Sequence, residues 1–185
     1  MAILKVAHLG HPCLREVSEA VAPERIRSRA FQQFCDDLYE TMVETDGVGL
    51  AAPQVHVNER VVVFQLDEES GPMWLVNPVI TPVGESTKTG YEGCLSVAGL
   101  RGRVARHVEV EVRALDRNGK PLAFRATEYA ARVVQHECDH LDAVLYVDRV
   151  DPRTLAFLPE YRKYGPLEPS DDEADEEEGA LDDAE

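Results

Sequence analysis

The sequence contains no apolar run long enough to span a bilayer. Its N-terminus, Met1-Ala2-Ile3-Leu4-Lys5-Val6-Ala7-His8, lacks the charged opening and sustained apolar core of a secretory signal. No membrane association is expected, and the expected compartment is the cytoplasm. Cysteine is sparse: the four, at 13, 35, 94 and 138, form no CxxC pair and no dense framework. That excludes a disulfide scaffold and leaves free thiols or metal ligands. A basic stripe is also missing. The net charge of -16 is uneven, because residues 168–185 hold eleven of the 35 acidic groups and none of the 19 basic ones. The body carries the other 24 acids against those 19 bases, a modest imbalance with no direct nucleic-acid surface. There are no internal repeats.

A length of 185 residues, with 44% hydrophobic and 29% charged residues, suits one domain with a sizeable core plus a tail. We place the domain at 1–166. The tail, 167–185, contains the run Asp171-Asp172-Glu173-Ala174-Asp175-Glu176-Glu177-Glu178 and is expected to be disordered.

Near the start, Pro12 restricts His11 to extended backbone, and His11 and Cys13 read as structural because neither has a partner at metal-ligand spacing. After Pro23, apolar residues Ile26, Ala30, Phe31, Phe34, Cys35, Leu38, Tyr39, Met42 and Val43 recur every three or four positions, predicting an amphipathic helix closed by a left-handed Gly47. The following Gly47-Val48-Gly49-Leu50-Ala51-Ala52-Pro53-Gln54 is small and uncharged. Its glycines permit close approach of a ligand to backbone, but the third glycine and lysine of a phosphate loop are missing. Gln54 reads either as a hydrogen-bond donor to an oxyanion or as a loop amide capping local backbone.

Residues 60–66 and 74–80 read as strands, the second bent or at an edge because of Pro78. Cys94, in Tyr91-Glu92-Gly93-Cys94-Leu95-Ser96, reads as a ligand or as core. The basic cluster from Arg101 to Arg106 reads as a solvated loop, and the alternation in 107–114, followed by Asn118-Gly119, as a hairpin. Thr127 is the expected N-cap of a helix whose apolar side includes Ala130, Val133, Val134, Leu141, Val144 and Leu145. Residues 151–165 suggest a short helix broken at Pro159.

The 127–145 helix carries Gln135-His136-Glu137-Cys138-Asp139-His140, an H-E-x-x-H pattern. On a helix, His136 and His140 lie about 40° apart around the axis and so can bind one metal ion, with Glu137 placed to take a proton from an attacking water. Cys138 is rotated about 200° from His136 and reads as packing. A structural zinc site needs four protein ligands and has no use for this glutamate. A catalytic one needs three and an open position, and Cys94 is the best third candidate outside the helix.

Three segments in order, Gly47 to Gln54, Glu92-Gly93-Cys94-Leu95-Ser96 and Gln135 to Leu141, make the chain resemble the bacterial peptide deformylases from about His11 to Arg149. The short, Gram-negative-like subgroup is the nearer match. The resemblance implies an α+β fold, with antiparallel sheets packed around the central H-E-x-x-H helix. It implies that Cys94, His136 and His140 hold one divalent ion, Fe(II) in the cell, replaceable by zinc or nickel. Activity should then be lost in air, more slowly with nickel. Glu137 would be the general base, with the Gln54 amide and the Leu95 backbone N–H stabilising the oxyanion. The implied partners are N-formylmethionyl nascent peptides, lying as an added strand against Val48, Gly49 and Gly93, with Val133 lining the methionine pocket and Arg101 meeting the distal end. The activity implied is removal of the formyl group as formate. A peptidase cutting internal bonds and a non-catalytic, metal-stabilised binding module derived from a deformylase are the alternatives.

The sequence departs from the family pattern at Ala143, usually glycine, and at Ala98 and Ala105, often proline. Some members carry a basic C-terminal helix that docks on the ribosome. The acidic tail cannot bind RNA in that way, which argues against even a transient ribosome association.

Overall fold

The computed structural model describes residues 2–67 and 69–167, so the acidic tail from 168 onward lies outside the described residues. In chain order the elements are α1 (Pro23–Ile26), α2 (Arg29–Glu44), β1 (Gly49–Ala51), β2 (Val61–Phe64), β3 (Met73–Pro82), β4 (Thr87–Cys94), β5 (Val97–His107), β6 (Glu109–Leu115), β7 (Pro121–Thr127), α3 (Glu128–Leu141), α4 (Tyr146–Arg149), β8 (Ala156–Phe157) and α5 (Leu158–Tyr164). Short 3-10 turns occupy Pro12–Arg15, Ala52–Val55 and Pro152–Thr154. The fold is α+β, with every strand pair antiparallel: one sheet in the order β1-β2-β3-β6-β7 and a second in the order β4-β5-β8.

The run Val61-Val62-Val63-Phe64 explains the layering. Side chains alternate across a strand, and all four are buried, so β2 must be covered on both faces. Val61 and Val63 pack in a cluster with Phe31, Cys35, Leu38 and Met42 of α2. Val62 and Phe64 pack with Ala131, Val134, Cys138 and Leu141 of α3. Helix α3 also touches β5 of the second sheet, so it runs between the two sheets. Ser18 donates its backbone N–H to the Leu141 carbonyl at 2.8 Å, satisfying one of the carbonyls orphaned at the end of α3.

Several local expectations are corrected. Ile26 belongs to the separate α1, and Val43 on α2 is 52% exposed. Ser28 caps α2 by accepting from the Phe31 N–H at 3.1 Å. The left-handed residue after α2 is Asp46, at φ 53°, a conformation Asp tolerates. Gly47 is needed for space instead, since a Cβ there would lie 3.0 Å from Leu95 Cδ1 and 3.2 Å from the Met42 carbonyl oxygen.

The strand containing Pro78 is the middle of the five-stranded sheet. A bulge at Asn77 (φ 53°), where the β3–β6 register shifts, accommodates a residue that cannot donate to the ladder. Arg101 to Arg106 lie in β5 rather than in a loop. Thr127 is the N-cap residue of α3 as expected but makes no side-chain cap bond, and α3 stops at Leu141, leaving Val144 and Leu145 beyond it. Pro159 starts α5 instead of breaking a helix, because its missing N–H costs nothing in a first turn.

Candidate active site

The β4–β5 hairpin turns at Leu95-Ser96, placing Cys94 at the end of β4 beside the face of α3 that carries His136 and His140. One donor atom from each of Cys94, His136 and His140 lies within 4.8 Å of the others, with Cys94 Sγ 3.3 Å from His140 Nε2. Tetrahedral coordination by one thiolate and two imidazoles separates ligand atoms by roughly 3.5 Å, so the arrangement fits a metal ion. A thiolate with two neutral imidazoles is also a donor set for borderline transition metals.

Second contacts orient these groups. The His136 Nδ1–H donates to Glu92 Oε2 at 2.9 Å, which leaves its Nε2 lone pair for the cluster. Burial disfavours charge on His136, but the Cys94 sulfur and Glu92 carboxylate outweigh it and hold the imidazole pKa well above its ordinary value. Burial, then His136 and Arg106, keep His140 well below its ordinary value and therefore neutral, as a ligand must be. Cys138 packs away from this face, and burial pushes its thiol up to about 12.

The motif around Cys94 assigns Glu92 no role. Glu92 is the hub of a buried ion-pair network. Its carboxylate accepts from Arg106 Nε and Nη2, each at 2.9 Å, and from Arg132 Nη1 at 2.9 Å. Asp139, inside the H-E-x-x-H helix, accepts from Arg106 and twice from Arg149. The network joins β4, β5, α3 and α4 around His136. Burial opposes charge on Glu92, yet Arg106 and His136 hold it well below the usual carboxylate range. One signal was present in the sequence: Arg132, His136 and His140 recur at spacings of four and share a helical face.

Glu137 lies 5% exposed, and its Oε2 has no hydrogen-bond partner among the described residues. Burial pushes its carboxyl up to about 7, where a carboxyl group both accepts and returns protons efficiently. Gly49 makes room for it, since a Cβ there would come within 2.8 Å of Glu137 Cγ. Gln54 is 2% exposed, and its Oε1 accepts the Ala51 N–H at 2.8 Å. That bond fixes the amide orientation, so Nε2 points toward Ser96 Oγ at 3.2 Å and Cys94 Sγ at 3.6 Å. The local capping reading of Gln54 is met by its Oε1, while its Nε2 is turned toward Cys94 and Ser96.

Gln54, Glu92, Cys94, His136 and Glu137 line a cleft of about 490 Å³, with His140 buried behind Cys94 and His136. Val48, Gly49, Gly93, Leu95, Arg101 and Val133 also line it. Sequence reasoning missed Tyr129 and, from α5, Leu158 and Arg162, whose approach depends on how the chain returns across β5.

A buried glutamate, an oriented amide and a Cys-His-His cluster facing one cleft define a metal-dependent amide hydrolase of the H-E-x-x-H class. The sequence model for polypeptide deformylase matches residues 3–156. A peptide deformylase of Prochlorococcus marinus is 40% identical over 178 residues, covering 91% of this chain and 92% of that one. One from Pseudomonas aeruginosa is 42% identical over 149 residues, covering 80% and 87%. The Met-Ala-Ser-bound crystal structure of the class I type b peptide deformylase from Acinetobacter baumannii superimposes with a TM-score of 0.76 at 34% identity, covering 80% of this chain and 99% of that one. The chain belongs to the polypeptide deformylase family, metal-dependent hydrolases that remove the formyl group from N-formylmethionine.

Proposed function

We propose that the domain at 1–166 deformylates newly made chains in the cytoplasm through the residues gathered in this cleft, with Cys94, His136 and His140 holding one divalent ion, Fe(II) in the cell and replaceable by zinc or nickel. The observation that carries the reading is the meeting of those three donors, from segments more than forty residues apart, at a cleft that Cys94 and His136 share with Glu137 and Gln54. When bound, the ion supplies Lewis acidity that activates water and polarises the formyl carbonyl.

Glu137 accepts the proton of the attacking water as the new C–O bond forms, then returns it to the amine nitrogen as the C–N bond breaks, so the products are formate and a free α-amino group. Gln54 Nε2 and the Leu95 N–H donate to the oxyanion. The Ala51 contact holds the Gln54 amide in place in advance, so little reorganisation accompanies the reaction. Backbone at Val48, Gly49 and Gly93 pairs with the peptide as an added strand. Val133 lines the methionine pocket, and Arg101 meets the chain further on. The Met-Ala-Ser peptide bound by the Acinetobacter relative supports this choice of substrate. No described helix is long and apolar enough to cross a membrane, which accords with a substrate met in water.

The test is anaerobic hydrolysis of formyl-Met-Ala-Ser against acetyl-Met-Ala-Ser, with metal content measured on the same samples and Glu137→Gln alongside. Activity on the formyl peptide alone, with a variant that keeps its metal and loses turnover, is the expected result. A variant retaining both metal and full activity defeats the assignment of Glu137.

A further inference from the structure

His11 and Cys13 do have a metal-ligating partner, in space rather than in sequence. The 3-10 turn at Pro12–Arg15 packs against the turn at Ala52–Val55, and this brings His56 to them. One donor atom from each of His11, Cys13 and His56 lies within 4.8 Å of the others. Cys13 Sγ is 3.7 Å from His56 Nδ1, and the two imidazole rings sit edge to face with centroids 4.6 Å apart. Both histidines are exposed and Cys13 is half-buried, so an ion held here keeps a face open to solvent.

We infer that His11, Cys13 and His56 form a second metal site, outside the catalytic cleft, for a borderline divalent transition ion such as Zn²⁺ or Co²⁺. The donor set is one thiolate and two imidazoles, which favours these ions over Mg²⁺ or Ca²⁺. The thiol proton is released to solvent as the metal–sulfur bond forms. His11 Nδ1 now accepts the Cys13 N–H at 3.2 Å. A neutral imidazole has one lone pair, so ligation through either nitrogen gives up that bond, and the affinity is expected to be moderate.

His56 itself is placed at a cost. It adopts φ 65°, a left-handed conformation in which glycine is the favoured residue. It caps the Ala52–Val55 turn, its backbone N–H reaching the Ala52 and Pro53 carbonyls, which sets the imidazole next to the loop that presents Gln54. Cys13 Sγ donates to the Pro53 carbonyl at 3.4 Å, and the Ala7 N–H donates to the Gln54 carbonyl at 2.7 Å. An ion at this site would staple the N-terminal segment to that loop. The inference is independent of the catalytic reading, since none of its three ligands lines the cleft.

The experiment uses the full chain with its catalytic site loaded with nickel and excess metal removed. Anaerobic titration with Co²⁺ should then show one further equivalent with a near-ultraviolet thiolate charge-transfer band, absent in Cys13→Ser. Zn²⁺ at a hundredfold excess over its Kd should raise the Tm of the parent chain by roughly 5–10 °C, with no such rise from Mg²⁺. His56→Gly separates ligation from folding. Before Zn²⁺ is added it should melt higher than the parent, because the left-handed cost is gone, and it should not respond to Zn²⁺. The proposal is overturned if the parent takes up no second equivalent, if the second equivalent survives intact in both variants, or if Mg²⁺ produces the same shift.

Discussion

Replacing Glu92 by glutamine keeps the shape of the side chain and removes only its charge and half its acceptor capacity. Glu92 Oε1 faces Arg106 Nε and Arg132 Nη1, while Oε2 faces Arg106 Nη2 and His136 Nδ1. Either rotamer of the new amide therefore turns an NH₂ group toward donors. Arg106 keeps Asp139 as a counterion, but the other recorded partners of Arg132 are the carbonyls of Lys88, Gly90 and Val104. The uncompensated charge falls on Arg132, only 10% exposed at its side chain. Breaking a buried pair from one side costs about 3–5 kcal/mol, a large share of the roughly 5–15 kcal/mol that holds a domain together. The same change removes the carboxylate that fixes the His136 tautomer, a loss worth about 10–100-fold in metal affinity. Urea unfolding at neutral pH and competition against a metal chelator read the two effects separately. A Glu92→Gln protein that loses less than about 1 kcal/mol and holds metal as tightly as its parent would refute both the charge argument and the orienting role.

Acid should expose the same carboxylate. Its folded pKa is depressed, so its stabilisation is complete above the ordinary value of 4.5 and is lost as pH falls toward the folded value. With chelator present, the stability gap between parent and Glu92→Gln should therefore narrow below pH 4.5; a gap independent of pH would remove the charge from the explanation. Ala143 follows α3 at φ 61°, where the family usually has glycine. Ala143→Gly relieves a left-handed alanine and gives back part of that gain through unfolded-chain entropy, for a net stabilisation of about 0.5–1 kcal/mol, or roughly 1–4 °C in Tm by calorimetry. In Gly49→Ala the new Cβ would overlap the Glu137 side chain from Cγ to Oε1, so the carboxylate must leave its position. We expect kcat on formyl-Met-Ala-Ser to fall about 100-fold in steady-state kinetics; an unchanged kcat would mean that Glu137 does not act from where it lies.

How much could be read in advance depends on whether a constraint is local. The H-E-x-x-H ligands were legible because metal chemistry dictates residue type and a helix dictates spacing. The α2 stripe was legible because one-sided burial imposes a period, and Val61–Phe64 because a strand buried on both faces is an unbroken apolar, β-branched run. Pro78 signalled a bent or edge strand, and the bulge at Asn77 supplies the bend; the strand's place in the middle of the sheet depends on the register with β6, which local composition does not encode. The basic cluster misled for a similar reason. Arg106 reads as solvent-facing until β4 and α3 bring Glu92 and Asp139 to it, and what looked like a loop is the support beneath His136.

Cys94 and His56 make the comparison sharpest. Each lies about forty residues from the ligands it joins, and neither separation carries any periodic signal. Cys94 stood out as a third candidate because a three-ligand site needs one and a glycine flanks it, and the family pattern around it then gave it a part. His56 has no such pattern, so His11 and Cys13 read as structural until the two 3-10 turns were seen packed together. Spacing rules find ligands that share an element, and resemblance finds those that relatives share. A cluster assembled by the tertiary fold of one chain is visible only in its coordinates. The absence of a sequence-adjacent partner is therefore no argument against a metal-ligating residue, at Cys13 or at Cys94.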